Sequence, residues 1–365
     1  MAIDFAPERW DRIRKNAALW WEGKLDRPLI QCCAHGARDP GRPRPDTPCH
    51  HFTSHYGLDF PFEKIFAAHQ WSLESNVYLG DAFPYCWMNF GPGILAAFCG
   101  SDLVNTEHST YFSVPNPSPV RDLTIRFNPD SPWFRRVEAC CRAATACFKG
   151  TALVGTTDMG GILDVLASFR TSENLLTDLY DDPEEVERLI RETQDAWFTA
   201  YNRLETVLDR RINPGHSYWT PLYSEKPYAM FQSDFSYMIG PAHFDRFVVP
   251  EMAESCRRLA GNAFYHLDGT GQLVHLDSLL SIPELKGIQW IPGDGTPRVT
   301  AWMDVYRRIL AAGKLAQVDC LLDDLPIFER ELGSLRNMAI LVAIPPERMS
   351  EAKRILAHFG VDAND

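Results

Sequence analysis

Apolar and polar positions follow a regular order over the second half of the chain. After residue 150, short apolar runs predict strands at Ala152–Thr156, near Ile212, and at Met230–Ser233, Ala263–Leu267, Gly287–Ile291, Leu315–Val318 and Met338–Ile344. Stretches with apolar residues at helical spacing separate them, over 181–209, 241–260, 272–281, 299–312, 325–334 and 346–359. Strands that alternate with helices over short connections are typical of a parallel sheet.

The first 150 residues show a looser pattern. Trp10, Ile13, Ala17 and Trp20 share one face of a helix predicted over 7–23. The other predicted elements of this part are a strand over 28–34, a Pro- and Gly-rich loop over 36–48, and helices over 61–75 and 132–148.

The number of strand–helix units and the absence of a phosphate-binding motif decide the expected fold class. No phosphate-binding fingerprint of the GxGxxG or GxxxxGK[ST] kind accompanies the strand–helix units. An α/β fold in the form of a (β/α)8 TIM barrel therefore suits the 365 residues better than a doubly wound sheet. We expect a single barrel domain over 1–365. In it, residues 1–120 supply N-terminal helical and loop additions and the first barrel elements, and 150–360 supply the regular units.

Charge and apolar run length exclude several classes of partner. The 36 basic and 48 acidic residues give a formal net charge of −12, which argues against nucleic acid and anionic membranes. The longest apolar run, Met338–Ile344, is far shorter than the roughly twenty residues of a spanning helix. The charged N-terminus does not read as a signal peptide. We expect a cytoplasmic protein whose ten cysteines, none in a CxxC pair, act mostly as small core residues.

Polar and aromatic residues collect where the predicted strands end, which is the face that carries the active site in barrels. From these positions we select as catalytic candidates Asp158, Tyr218, Asp234 and His266. Candidates for substrate binding are Trp87, His216, Trp219, Gln232 and Trp290. Each has a structural alternative: Asp158 as a helix cap, the tryptophans as core residues, His266 as a core histidine.

His266 and Asp268 are the most informative pair. In a strand, positions i and i+2 point to the same face, so both side chains enter one space. Two uses are open: a metal site, or an acid/base pair in which the carboxylate orients the ring. Cys320, near the end of a later strand, is a weak candidate for a further metal ligand.

Three segments of the chain resemble one superfamily. FYHLDGTGQLVHLDSLLSIPELKGIQWIPGDG, QSD with SYMIGPAHFDRFVVPEM, and VGTTDMGGILDVLASFRTSENLLTDLYDDPEEV are similar to uroporphyrinogen decarboxylase-like proteins. That superfamily includes the cobalamin-linked methyltransferases. The resemblance covers 150–360 well and the first 120 residues more loosely.

Two departures narrow what the resemblance implies. The family's Arg-rich segment that grips porphyrinogen carboxylates has no counterpart beyond Arg27, so the chain does not resemble a true uroporphyrinogen decarboxylase. The corrinoid-linked methyltransferases bind zinc through His-x-Cys and a second Cys on the last strand. Here Asp268 stands in the Cys position and the run Met338–Ile344 contains no Cys, which leaves a His/Asp site for zinc or another divalent metal, or no metal.

The resemblance implies a methyltransferase that moves a methyl group between a small methoxylated or hydroxylated molecule and a corrinoid protein or related carrier. Trp87, Tyr218, Trp219 and Trp290 would form the apolar walls of its pocket. The first alternative is a metal-free decarboxylase or lyase, in which Asp158 or Asp234 steers protonation. The second alternative is a barrel that binds a small molecule without turnover. The sequence is compatible with a homodimer.

Overall fold

The computed structural model describes residues 3–48 and 50–363, and strands and helices alternate through both ranges. The strands are β1 (Leu29–Ala34), β2 (Val77–Gly80), β3 (Tyr85–Cys86), β4 (Asp102–Asn105), β5 (Thr110–Ser113), β6 (Leu153–Val154), β7 (Tyr228–Gln232), β8 (Asn262–Asp268), β9 (Gly287–Ile291), β10 (Leu315–Cys320) and β11 (Met338–Ile344). The α-helices are α1 (Pro7–Trp21), α2 (Phe62–Ser75), α3 (Leu95–Phe98), α4 (Pro132–Cys147), α5 (Ile162–Arg170), α6 (Ser172–Asp181), α7 (Pro183–Val207), α8 (Pro241–His243), α9 (Val249–Leu259), α10 (Leu276–Leu280), α11 (Met303–Ala311), α12 (Leu325–Leu332) and α13 (Met349–His358).

A mostly parallel sheet lies at the centre of this α/β fold. Its order is β2-β1-β11-β10-β9-β8-β7, and only the edge strand β2 runs antiparallel to its neighbour. β3 pairs with β6 in a separate parallel pair, and β4 with β5 in an antiparallel one. The TIM barrel expected from the sequence is not confirmed, because the pairing among the described residues does not close into a ring.

The strand predicted near Ile212 is wrong. Gly215 has a φ of +104° and follows Pro214, and neither suits a regular strand. Asn213 instead uses its side chain to accept from the Val154 amide and to donate to the Val154 carbonyl, both at 2.9 Å. The segment therefore runs beside β6 as irregular chain, with one isolated bridge between His216 and Ser224.

Strand register places one row of polar side chains on the same face of the sheet. Gln232 is paired with His266, His266 with Gln289, and Gln289 with Gln317. Because side chains alternate between faces, the neighbours of this row point the opposite way. Trp290, next to Gln289, is fully buried and packs edge-on against Trp302.

Helices cover the sheet, and the buried apolar side chains form one continuous cluster from Ile3 to Val361. The predicted helix over 241–260 is divided: a π-helical turn, Phe244–Val248, joins α8 to α9 just before Pro250. Proline has no N–H to donate, which favours such a local rearrangement. No helix among the described residues has the length and apolar character to cross a membrane. Of the nine described cysteines, all are free thiols and five are buried; Cys49 lies outside the described residues.

Asp81 joins the N-terminal helix to the sheet. It is 2% exposed and accepts two hydrogen bonds from the Arg27 guanidinium, at 2.7 and 2.9 Å. The Ile30 amide and the Asn16 side chain donate to it as well. The Arg27 guanidinium is thus engaged by a structural partner.

We predict that Asp81→Ala lowers the free energy of unfolding by about 3–5 kcal/mol, because it leaves the partly buried Arg27 without its counter-charge. Asp26→Ala is the matched control: Asp26 is 90% exposed, so its ion pair with Arg336 contributes about 0–1 kcal/mol. Urea denaturation of the two variants measures the difference. Equal stability of both variants would contradict this role of Asp81.

Candidate functional site

His266 lies at the carboxyl end of β8 with a partner on each ring nitrogen. Its Nδ1 is 2.5 Å from Gln289 Oε1, and its Nε2 is 3.7 Å from Asp268 Oδ2. Trp219 meets the ring edge-on at 4.7 Å between centroids. Burial alone lowers the pKa of His266, but the contacts with Asp268 and Gln289 outweigh it and raise the pKa above its ordinary value. These contacts therefore favour the imidazolium form more than bulk water does.

Asp158 is a buried carboxyl close to this histidine. Burial raises its pKa to about 7, and the charge of Asp234 adds to the rise. A 2.8 Å hydrogen bond from the Gly160 amide, the charge of His266 and a contact with Gln232 act in the opposite direction. Asp158 is thus a group that can gain or lose a proton near neutral pH.

Tyr218 is fully buried next to Asp158. Its hydroxyl oxygen accepts a 3.0 Å hydrogen bond from the Met159 amide, which leaves the hydroxyl hydrogen for another acceptor. Burial, together with the Asp158 charge, raises the pKa of Tyr218 well above its ordinary value. Tyr218 is therefore a neutral donor at physiological pH.

Asp164 is a further carboxylate of the site. Unlike Asp234, it is not among the residues selected at the strand ends. It accepts the backbone amides of Asp234 and Phe235 at 3.0 and 2.7 Å, and so fixes the start of the 3-10 turn Asp234–Met238. Burial and repulsion by Asp234 raise the pKa of Asp164 to about 7. Desolvation by the surrounding protein also raises the pKa of Asp234, which borders the smaller cavity.

Two cavities open at the carboxyl ends of the parallel strands and share the wall formed by Pro292, Gly293, Asp294 and Thr296. The smaller, of about 430 Å³, is bounded by Asp234 and Asp268. The larger, of about 740 Å³, has an apolar and aromatic lining that includes Tyr78, Phe83, Tyr85, Val299 and Leu341. Its charged and amide groups are Gln31, Asn76, Asp294, Arg298, Asp319 and Asp324.

Gln289 and Asp319 are site residues that the sequence reasoning missed. Gln289 Nε2 donates to Asp319 Oδ2 at 3.4 Å, and Asp319 opens into the larger cavity at the end of β10. Enclosure by the cavity walls raises the pKa of Asp319. The strand-end rule could have selected Asp319, which directly precedes Cys320. Gln289 could not be selected without the strand register, because only its pairing with His266 shows that Gln289, rather than Trp290, points towards the site.

Four of the candidates do not join the group around His266. Trp290 points to the opposite face of β9, as described above. His216 Nδ1 lies 2.8 Å from Glu205 Oε2, in an ion-pair network with Arg210 that lowers the pKa of Glu205 to about 2 although burial opposes it. Trp87 donates to the Thr156 carbonyl at 3.1 Å and lines neither cavity. Cys320 lines the larger cavity, where burial raises its pKa. The structure brings together Asp158, Tyr218, Trp219, Gln232, Asp234, His266 and Asp268.

These residues do not fit a closed zinc site. Such a site needs about three or four nitrogen, sulfur or oxygen ligands around one point. Among the described residues, no group of three or more His, Cys, Asp or Glu side chains is arranged to hold a metal ion. His266 and Asp268 alone leave the coordination incomplete, and we assign no chemical step to a metal.

Comparisons with known proteins identify the fold rather than a family. No protein-family model matches the chain. No curated protein matches it in sequence. Among solved structures, the chain is similar to a methyltransferase from Methanosarcina mazei, with a TM-score of 0.58 and 10% sequence identity. The likeness spans 95% of this chain and 97% of that one, so the two share an overall fold.

The raised pKa of Asp158 predicts a pH-dependent difference in stability. In the unfolded chain the carboxyl titrates near pH 3.9. The folded state therefore binds the extra proton between about pH 4 and 7, and the Asp158 contribution to the free energy of unfolding falls as pH rises through that window.

Asp158→Asn removes this titration, so its stability relative to the wild type should increase by about 1–4 kcal/mol from pH 4 to pH 8. Urea denaturation at several pH values measures it. Asp304→Asn, at a 90% exposed side chain, is the control and should show no such trend. A parallel pH profile for Asp158→Asn and wild type would contradict the raised pKa.

Proposed function

We propose that the chain is a methyltransferase of the uroporphyrinogen decarboxylase-like superfamily. It moves a methyl group between a small methoxylated or hydroxylated molecule and a corrinoid protein or related carrier. The observation that carries the proposal is the cluster of His266, Asp268 and Asp158 at the carboxyl ends of the parallel strands. The fold shared with the methyltransferase from Methanosarcina mazei supports it.

The cluster supplies the proton that methyl transfer from oxygen requires. The bond between the methyl carbon and the substrate oxygen breaks, the oxygen keeps the electron pair, and the methyl carbon bonds to the carrier. The oxygen then needs a proton to leave as a hydroxyl group. His266 Nε2 donates that proton, and Asp268 stabilises the imidazolium beforehand. A corrinoid, when bound, supplies the nucleophile that accepts the methyl group.

The larger cavity, which adjoins the smaller cavity beside Asp268, suits the apolar part of a neutral substrate. Its walls carry three carboxylates, Asp294, Asp319 and Asp324, against one arginine. That arginine, Arg298, already donates to Asp324 at 2.6 Å. A polycarboxylate would meet repulsion there, whereas a methyl ether or an alcohol can lie against the aromatic wall and donate to or accept from the amides.

We also propose a barrel in which the irregular segment 213–220 fills the gap between β6 and β7. Ser217 accepts a hydrogen bond from the Thr156 amide at 3.0 Å, just beyond β6. On its other side, Thr220 lies 2.8 Å from the Tyr228 hydroxyl of β7. These contacts support a ring in which this segment stands where a regular strand was expected.

A metal-free decarboxylase or lyase is the second candidate, and Asp158 favours it. A buried carboxyl with a pKa of about 7 can protonate a carbanion, and the Tyr218 hydroxyl lies beside it. The acidic lining of the larger cavity weakens this candidate, because its substrate is an anion. Release of CO2 from a panel of small carboxylates, abolished by Asp158→Asn, would favour the lyase over the methyltransferase.

For the methyltransferase, we predict that His266→Gln lowers kcat by about 10²–10⁴-fold, the usual contribution of a general acid. Asp268→Asn should lower it less, because the donor remains. The assay uses methyl ethers, with 2-methoxyphenol first, and chemically reduced cobalamin as acceptor; the hydroxyl product is measured by chromatography.

The control for this assay is His108→Gln, at a side chain that is 86% exposed, which should keep the wild-type rate. Wild-type kcat in His266→Gln would contradict the role of His266. Failure of every methyl ether, with or without a corrinoid protein, would contradict methyl transfer from oxygen.

Metal content tests the divalent cation that the resemblance implies. From the incomplete ligand set we predict much less than one equivalent of zinc in protein purified without chelator, and activity that survives EDTA. Elemental analysis measures the content. About one equivalent, retained in His108→Gln and lost in His266→Ala, would instead establish a site that uses His266.

A further inference from the structure

Gln289 stands between the candidate catalytic histidine and a carboxylate of the larger cavity. We propose that Gln289 and Asp319 are positioning residues that hold His266 in one tautomer, with the hydrogen on Nδ1 and the free nitrogen at Nε2. The role of that nitrogen rests on the proposed function; the tautomer itself does not.

The direction of the hydrogen bonds follows from what each group can do. An ionised Asp319 only accepts, so the Gln289 group that faces it at 3.4 Å must be the amide Nε2. The carbonyl Oε1 then faces His266 Nδ1 at 2.5 Å. Because a carbonyl oxygen also only accepts, Nδ1 must carry the hydrogen. Reversing the amide would place Oε1 against the Asp319 carboxylate, two acceptors with no hydrogen between them, and lose that bond.

The surrounding sheet holds this arrangement in place. His266 and Gln289 are paired positions of the neighbouring strands β8 and β9, and Gln289 is 1% exposed. Asp319 follows Gln317, the partner of Gln289 on β10, by two residues and therefore lies on the same face. Trp219 closes the side of the imidazole ring, at 4.7 Å between centroids. Backbone pairing of three neighbouring strands therefore places the three side chains next to one another.

The consequence is that Nε2 is the reactive nitrogen of His266. It faces Asp268, at 3.7 Å, on the side of the smaller cavity. Proton transfer and metal ligation would both use this nitrogen, and in either case a hydrogen bond at the other ring nitrogen orients the ring. The inference therefore holds for either use of His266.

Long-range ¹H–¹⁵N NMR of protein labelled at histidine measures the tautomer directly. Spectra are recorded at pH ~9, well above the usual pKa ranges of histidine and carboxyl groups. The His266 signal is assigned by its loss in His266→Gln. We expect the Nδ1–H form in the wild type. Gln289→Leu removes the acceptor and should give a major Nε2–H population, the form a free histidine side chain prefers.

Two conservative variants separate positioning from simple packing. Gln289→Glu keeps an acceptor of the same size at Nδ1 and should retain the Nδ1–H form. Asp319→Asn lets the Gln289 amide turn and should give a mixture of both tautomers. Asp294→Asn is the matched control: it removes a carboxylate from the same cavity wall and should leave the wild-type spectrum unchanged.

A wild type in the Nε2–H form, or a Gln289→Leu variant that retains Nδ1–H, would overturn the proposal. An unchanged Asp319→Asn spectrum would overturn the part assigned to Asp319. In the demethylation assay, Gln289→Leu should lower kcat with KM unchanged. If the tautomers change as expected while kcat does not, the catalytic role of His266 fails and the positioning role stands.

Discussion

The register of three neighbouring parallel strands is the constraint on which the candidate site depends. It sets Gln232, His266 and Gln289 side by side on one buried face of the sheet. Buried polar groups are costly unless they are hydrogen-bonded, so these side chains must satisfy one another. The 2.5 Å contact between His266 and Gln289 is the result, and it directs the remaining ring nitrogen towards Asp268.

Burial of several carboxyls around one histidine gives the site its chemistry. Removal from water raises the pKa of Asp158 and of Asp164, and the charge of Asp234 raises both further. The same burial disfavours the charged form of His266, but the neighbouring carboxylates more than compensate. Proton-carrying groups with shifted pKa values in one place are typical of active sites, although they reduce stability where they are ionised.

The likeness to the methyltransferase from Methanosarcina mazei shows that an overall fold can be retained while most of the sequence differs. At 10% identity the two chains share an arrangement over nearly their whole lengths. Packing of strands and helices needs apolar residues at the right spacing, and many sequences supply that. Side chains at strand ends contribute less to this packing, so the residues that determine the reaction can differ there.

The sequence by itself determined the order of most elements and the pair at the end of β8. The helices and the strands from β7 onward follow apolar periodicity, and the His-x-Asp spacing is enough to place both side chains on one face. The sequence could not determine the irregular course of 213–217. There the Asn213 side chain, rather than a neighbouring strand, hydrogen-bonds the backbone of Val154 in β6.

Which face of β9 meets the site was decided only by the tertiary structure. Alternation allows either Gln289 or Trp290 to point inward, and the pairing of Gln289 with His266 selects the glutamine. The same holds for His216, which pairs with Glu205 of the preceding helix α7, and for Asp319, which lies two strands from His266 and reaches it through Gln289. A local pattern specifies which residues share a face, but contacts between strands far apart in the chain decide what that face meets.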